Sequence, residues 1–431
     1  MRKMRDSGIE WIGAIPQDWK TDRLQWHLKE INVSNNPIQT KNILSLTIEA
    51  GVIPYAEKGN QGNKAKEDYS QYKIAFPDTL VINSMNVIIG AVGISQYFGC
   101  VSPVYYVFGS IEGTDLRYIY YLFTNTGFQK EMRKYAKGIL EIRLRISSND
   151  MLKRIVPSPP FKEQQRIADY LDKMCAEIDA VLEKTRASIE EYKKLKQAVI
   201  TQAVTKGIRG DRPMKNSGIE WIGDIPKKWD CKKVKYVTSI SRGIFNHRPR
   251  NDERYYGGEY PFIQTGDVAG AQKYIESYSQ TLNELGKSVS KCFPKGTLTM
   301  TIAANVGDAA ILGFDAFFPD SVVGFIPNAD INDEYLYYIF KAMKPEFVRT
   351  AIKSTQLNLN VERIRDLFVP VVVQKSEQLE IAEYLNTKCA DIDALIAKKQ
   401  QYLTEIENYK KSLIYEYVTG KKEVKTSVLA D

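Results

Sequence analysis

The sequence predicts an α+β protein in which two duplicated mixed α/β domains are joined by two long helices, packed as an antiparallel coiled coil with pseudo-twofold symmetry. Three observations carry this expectation. DSGIEWIGAIPQDWK at 6–20 returns as NSGIEWIGDIPKKWD at 216–230 with ten of fifteen positions identical. EQQRIADYLDKMCAEIDA at 163–180 returns as EQLEIAEYLNTKCADIDA at 377–394, with Cys175 and Cys389 in equivalent places. Each of these second motifs runs on into a long stretch of helical periodicity.

The elements follow in the order leader, mixed segment, long helix, twice over. The start, MRKMRDSGIEW, lacks the apolar core of a signal peptide. The run Thr79 to Ile111 carries no charge, but Asn83, Ser84, Asn86, Ser95 and Gln96 interrupt it, so it reads as buried strands rather than a membrane span. Between the anchors FPDTL (76–80) answers FPKGTL (293–298), and YIYYLF (118–123) answers YLYYIF (335–340). The expected divisions are 1–157 for the first leader and domain, 158–209 for the first helix, 210–372 for the second leader and domain, 373–422 for the second helix, and 423–431 for a tail.

In the first helix Ile167, Leu171, Met174, Ile178, Val181, Thr185, Ile189, Tyr192, Leu195 and Val199 step by three or four residues, the seam of a heptad pattern. Ile381, Leu385, Ile392, Leu395, Ile406, Tyr409 and Leu413 repeat it in the second. Pro159 and Pro160 stand where a helix starts, and Gly207 and Gly420 where one stops. Helices of about 60 Å at 1.5 Å per residue cannot expose such a stripe to water, so the two stripes are expected to pack against each other.

The chain has 431 residues, room for two or three domains at about 150 residues each. With 43% hydrophobic and 26% charged residues, disorder is excluded as the main state. His27 and His247 are the only histidines, which excludes a His-rich metal centre, and five cysteines without a CxxC pair exclude a zinc ribbon or disulfide scaffold. Scattered thiols fit a reducing, cytoplasmic compartment.

The net charge of +8 is unevenly spread. Segment 163–207 is neutral and 377–421 carries −2, whereas 20–162 holds +6 and 230–376 holds +2. From Lys130 to Arg154 eight basic residues face three acidic ones, among them Lys137, Arg143 and Arg145. In the second copy SRGIFNHRPRNDER (241–254) offers Arg242, Asn246, His247, Arg248 and Arg250. Arg can bridge guanine O6 and N7, and Asn or Gln can bridge adenine N6 and N7, so these loops have the residue types that base reading needs. Lys58, Asn60, Lys64, Gln264, Thr265, Lys353 and Gln356 complete the candidate DNA-binding set.

The sequence carries no complete catalytic motif. Ser158-Pro159-Pro160-Phe161 resembles the Pro-Pro-aromatic loop of adenine methyltransferases, yet the chain has no FxGxG methyl-donor loop, and the second copy reads Val371-Val372-Val373-Gln374 at that place. Thr281 replaces the first glycine that a P-loop needs before Gly286-Lys287-Ser288, and neither Asp78 nor Asp320 opens a nuclease motif. No catalytic residue, metal ligand or cofactor is assigned.

The leader SGIEWIGxIPxxW, the EQxxIAxYLxxxCAxIDA motif, the FPxxTL strand and the two-copy plan together resemble the specificity subunit of type I restriction-modification systems, over nearly the whole chain. The resemblance implies a non-enzymatic subunit whose two target-recognition domains each read half of a split, asymmetric site in double-stranded DNA. It also implies modification subunits docked on helices 163–207 and 377–421, ATP-driven restriction subunits joining them, and no membrane. The competing readings are a stand-alone adenine methyltransferase and a DNA-bridging regulatory protein.

Overall fold

The repeated leader folds the same way twice because its small polar residues close the same turn. Asp6 Oδ1 accepts from Gly8 N at 3.1 Å and Asn216 Oδ1 from Gly218 N at 2.8 Å, and each glycine has positive φ. The turn joins Met4–Asp6 to Ala14–Pro16, and Met214–Asn216 to Asp224–Pro226, as antiparallel pairs. Ile12, Ile15 and Trp19 go inward from the first leader, and Ile222, Ile225 and Trp229 from the second. The structure, a computed structural model, describes residues 2–59, 68–138, 144–247, 252–303, 305–353 and 357–424, with backbone alone at 352, 353 and 357.

The chain divides into two units, residues 1–186 with 401–431, and residues 187–400. In the first, a four-stranded antiparallel sheet has the order Leu28–Glu30, Tyr105–Ser110, Thr79–Asn83, Val92–Ser95. The uncharged run is therefore sheet, and Thr79–Asn83 is buried at every position. Helices Leu116–Thr124 and Thr126–Arg133, capped by Asp115 and Asn125, bring Tyr118, Ile119, Leu122, Phe123, Phe128 and Met132 into the same core as the leader.

The second unit has a five-stranded sheet ordered Thr238–Arg242, Val322–Pro327, Leu298–Thr301, Ala309–Leu312, Tyr274–Ile275, with only the last pair parallel. A second, four-stranded sheet runs Gln280–Leu282, Tyr256–Phe262, Ala316–Phe317, Cys292–Phe293. Asp333–Ala342 is the counterpart of Leu116–Thr124, with Tyr335 wholly buried as Tyr118 is.

The long helices are Phe161–Lys206 and Lys375–Val418. Glu163 N and Gln164 N donate to Pro160 O at 2.8 and 3.0 Å, so the Pro159-Pro160 pair opens the first helix. In the first unit Tyr170 packs against Tyr417 with ring centroids 4.5 Å apart, Asp179 pairs with Lys410 at 2.7 Å and Arg186 with Glu407 at 2.8 Å, a descending register that makes the two helices antiparallel. In the second unit Lys196 pairs with Asp393 at 2.6 Å, and Arg209 with Glu380.

Neither copy of the repeat completes its own core. Leu413, Ile414, Tyr417 and Val418, from the second helix, pack with Ile12, Ile15 and Trp19 of the first leader. Ile200, Ala203 and Val204, from the first helix, pack with Ile222, Ile225 and Trp229 of the second. Gly207 and Gly420 end the helices at positive φ, and a Cβ on Gly420 would stand 2.4 Å from Pro16.

The Glu-Gln pair that opens both second motifs ties each helix to its domain. Gln164 accepts from Asp115 N and donates to Pro159 O at 3.0 and 2.9 Å, and Gln378 accepts from Asn332 N and donates to Val372 O at 2.8 and 2.9 Å. Glu163 takes both guanidinium nitrogens of Arg2, and Arg212 pairs with Glu377.

The seam read from the sequence needs one correction. Val181, Leu195, Leu395 and Tyr409 are 40, 49, 42 and 52% exposed, so they do not lie in it. Each precedes by one residue the true seam positions Leu182, Lys196, Ile396 and Lys410, which are buried or half-buried. The two lysines misled the pattern: they sit at seam positions because Asp393 and Asp179 neutralise them at the edge. At the other two positions the chain places apolar residues side by side, Val181 with Leu182 and Leu395 with Ile396, and spacing alone favours neither.

Candidate nucleic-acid interface

In the first unit Lys137 and Arg145 face each other across an antiparallel bridge, each N–H donating to the other's carbonyl at 2.8 Å. Ile146, fully buried, anchors this ladder: its N donates to Ser84 O at 3.2 Å and its O accepts from the Tyr106 hydroxyl at 3.2 Å. The backbone is thereby pinned while both basic side chains stay exposed. Beside the ladder in sequence, Lys130, Arg133 and Lys134 lie exposed at the end of Thr126–Arg133, and Lys134 pairs with Glu10 and Glu131. Arg154 lies 3.3 Å over the Tyr135 ring, a cation–π contact that orders the guanidinium.

The second unit builds its basic face on an aromatic bed. Phe245 packs with Tyr255, Tyr256 and Phe262 at ring separations of 6.2, 5.8 and 5.3 Å. Phe245 also bridges Ser290, and Asn246 N donates to Val289 O at 3.2 Å, so the 241–247 strand end lies along the 287–291 segment. Lys291 Nζ donates to Ser241 Oγ at 2.6 Å, and Lys287 lies 4.2 Å over the Tyr260 ring. Arg242 is exposed, with its Nε held by Asp320 O. Gly243 is required here, since a Cβ would stand 2.3 Å from Pro319 O.

Other residues singled out in the sequence have structural work. His247 stacks on Tyr255 at 3.8 Å with Nε2 3.1 Å from Asp252. A hydrogen bond from Arg254, aided by His247, holds the Asp252 carboxyl well below the usual range. Gln264 stands at the start of helix Thr265–Gly270, its N donating to Asp267 Oδ2 at 2.7 Å and its side chain to Gln280 at 2.9 Å. Thr265 is half-buried as the first residue of that helix. Lys58 lies 4.8 Å over Tyr55, next to the hairpin Leu44–Thr47 and Gly51–Pro54. Lys353 is in the short strand Ile352–Lys353, and its side chain is outside the described residues, as are Asn60, Lys64, Arg143, Arg248, Arg250 and Gln356.

Sequence reasoning missed Lys287 and Lys291. They are separated by more than thirty residues from the loop they join, and it is the tertiary pairing of Phe245 with Ser290 and of Asn246 with Val289 that brings them there. Among the described residues no group of three His, Cys, Asp or Glu side chains could hold a metal ion, and no helix is long and apolar enough to cross a membrane.

The sequence matches the family described as type I restriction modification DNA specificity domain twice, over residues 16–191 and 226–408. It is similar to the MjaX specificity subunit of a type I restriction enzyme in Methanocaldococcus jannaschii, with 24% identity over 435 aligned positions and 96% of each chain covered. Among solved structures, one concerned with complex assembly and conformational transition of the type I R-M system aligns at a TM-score of 0.73 and 14% identity, covering 95% of this chain and 99% of that one. The HsdS subunit of Thermoanaerobacter tengcongensis aligns at 0.51 and 14%, covering 95% and 98%. At such identity these two likenesses concern the fold.

Proposed function

The chain belongs to the family of type I restriction-modification DNA specificity domains, and from that premise we propose that it is the DNA-recognition subunit of such a complex, reading a bipartite, asymmetric site with one half-site per unit. The observation that carries this reading is the contrast between like scaffolds and unlike faces. Both units repeat the leader, the Glu-Gln lock and the helix, yet one displays the Lys137–Arg145 ladder and the other Arg242, Lys287 and Lys291 over aromatic rings. Cations supply phosphate attraction that any DNA receives, and the different surroundings supply the discrimination.

The chain contributes no chemistry of its own in this reading; Pro159 and Pro160, the residues that suggested a methyltransferase loop, open a helix. S-adenosylmethionine and ATP belong to the modification and restriction subunits, which join it in the cytoplasm, where its five free cysteines stay reduced. Modification subunits dock on helices 163–207 and 377–421. Support comes from Val181 with Tyr409 in the first unit and Leu195 with Leu395 in the second, exposed apolar pairs that stand one residue before the seam. In antiparallel helices such positions lie on one side of the pair, opposite the side closed by Arg186 and Glu407.

The test is methylome sequencing of a host carrying the complete system. Exchanging residues 20–157 for the equivalent segment of another family member should change one half of the methylated motif and leave the other untouched. A change in both halves refutes one half-site per unit, and methylation by the purified chain alone refutes the non-catalytic role.

A further inference from the structure

The two most exposed aromatic side chains among the described residues occupy the same place in the two copies. Trp26 is 64% exposed and Tyr236 63%. Each ends a single turn of 3-10 helix, Leu24–Trp26 or Val234–Tyr236, whose first residue is fully buried. Each turn is fixed by the same bond, Leu24 N to Arg154 O and Val234 N to Leu367 O, both 2.9 Å. The adjoining strands add a second apolar side chain in each copy: Ile155, paired with Arg23, is 47% exposed, and Phe368, paired with Lys233, is 38% exposed. The residues after them, Val156 and Val369, are fully buried.

A lone exposed ring is ordinary surface. The same exposed ring with the same apolar neighbour, twice, on strands that link leader to long helix, is a repeated feature of the scaffold. Faces that read two different half-sites must differ between units, whereas faces that meet two copies of one partner must match. A DNA backbone is also common to both halves, but it is gripped by cations. In the second unit the flanking lysines, Lys233 over Phe368 and Lys235 over Tyr236, share the one carboxylate oxygen Asp366 Oδ1 at 3.2 and 2.9 Å, which offsets one of their two charges. In the first unit Arg23, Gln25 and Lys153 take those three places, so a cation recurs at 23 and 233 while the other two places change character, and the exposed ring with its apolar neighbour is kept in both.

We propose that Trp26 with Ile155, and Tyr236 with Phe368, are two equivalent anchors that each seat one copy of the modification subunit. This rests on the functional reading above and adds a contact away from the long helices. An exposed aromatic entering a pocket of the partner is the usual source of a dominant interface contribution.

The experiment uses the full chain mixed with the modification subunit of its own system. Trp26→Ser and Tyr236→Ser should each leave one modification subunit bound by native mass measurement, and the double variant should weaken association at least tenfold. Trp26→Phe should retain binding. All should melt like the parent, because the side chains are exposed, and bind the specific DNA site unchanged. Wild-type association of the double variant overturns the anchors while leaving the function intact, as does a loss confined to DNA affinity, which would make the rings a DNA contact. If the parent chain fails to bind the modification subunit at all, the functional reading falls and the anchors with it.

Discussion

The indole nitrogen of Trp19 donates to Glu163 Oε2 at 3.0 Å, whereas its counterpart Trp229 has no hydrogen-bond partner for its Nε1 among the described residues. Both rings are almost fully buried at the foot of a long helix, 1 and 2% exposed. The duplication has kept the ring in both places and the hydrogen bond in one. Glu163 combines the indole with Arg2, while Glu377 is occupied by Arg212.

Trp19→Phe and Trp229→Phe therefore separate packing from hydrogen bonding. Both lose similar ring volume, but only the first leaves a carboxylate short of a donor, a loss of roughly 1.5–3 kcal/mol for a hydrogen bond to a charged group. Hydrogen exchange should show the first unit opening more readily in Trp19→Phe than the second does in Trp229→Phe. Equal effects would show that the Trp19–Glu163 bond adds nothing to packing.

Glu334 makes the second unit's hold on its helix sensitive to acid. Burial alone would raise its carboxyl, but hydrogen bonds from Lys273, Tyr274 and Asn386 more than reverse this and hold it below the usual carboxylate range. A group with a depressed folded-state value stabilises above its unfolded value, about 4.3, and loses that contribution as pH falls through the lower folded one. Glu334→Gln should lower the melting temperature at pH 7 and approach the parent progressively as the pH falls below the unfolded value. A difference that stays constant with pH would mean that the charge is not involved.

The duplicated plan and the long helices were legible because repeated motifs and heptad spacing are local patterns. The exposure of Val181, Leu195, Leu395 and Tyr409 was not, since an apolar residue one step from the seam fits a three-or-four spacing as well as one within it. Nor could spacing reveal that Leu413 and Tyr417 complete the core around Trp19, because that depends on which leader a helix end meets. At the candidate interface, composition pointed to Lys137, Arg145 and Arg242, which the structure keeps exposed. It also pointed to Gln264, whose amide is bound to Gln280. Residue type alone does not distinguish an amide that reads a base from one that secures a helix start.

The two basic faces should act independently. Lys137→Glu with Arg145→Glu, or Lys287→Glu with Lys291→Glu, should lower affinity for the specific site and reduce the salt dependence of binding by about one for each phosphate contact removed. Assembly with partner subunits should be unchanged. Titrating DNA at several salt concentrations reads both quantities, and unaltered affinity at physiological salt would reduce either face to plain surface.

Removing residues 401–431 should unfold the first unit and spare the second. That segment supplies Leu413, Ile414, Tyr417 and Val418 to the first unit's core, the Val418 carbonyl that accepts from the Tyr118 hydroxyl at 2.9 Å, and Lys410 for Asp179. At roughly 1.5–3 kcal/mol for each large apolar side chain returned to water, the loss is about 6–12 kcal/mol, comparable with the whole stability of a domain. The second unit keeps both of its helical segments, from Ala187 to Lys206 and from Lys375 to Gln400, with the Lys196–Asp393 pair between them. Hydrogen exchange on the truncated chain should show protection lost in Thr79–Asn83 and Leu116–Thr124 but retained in Leu298–Thr301 and Asp333–Ala342. Adding residues 401–431 back as a separate peptide should restore it, because the antiparallel contacts need no covalent link. If the truncated chain keeps protection in Thr79–Asn83, the first copy is self-sufficient and the exchange of helix ends between copies is dispensable to its folding.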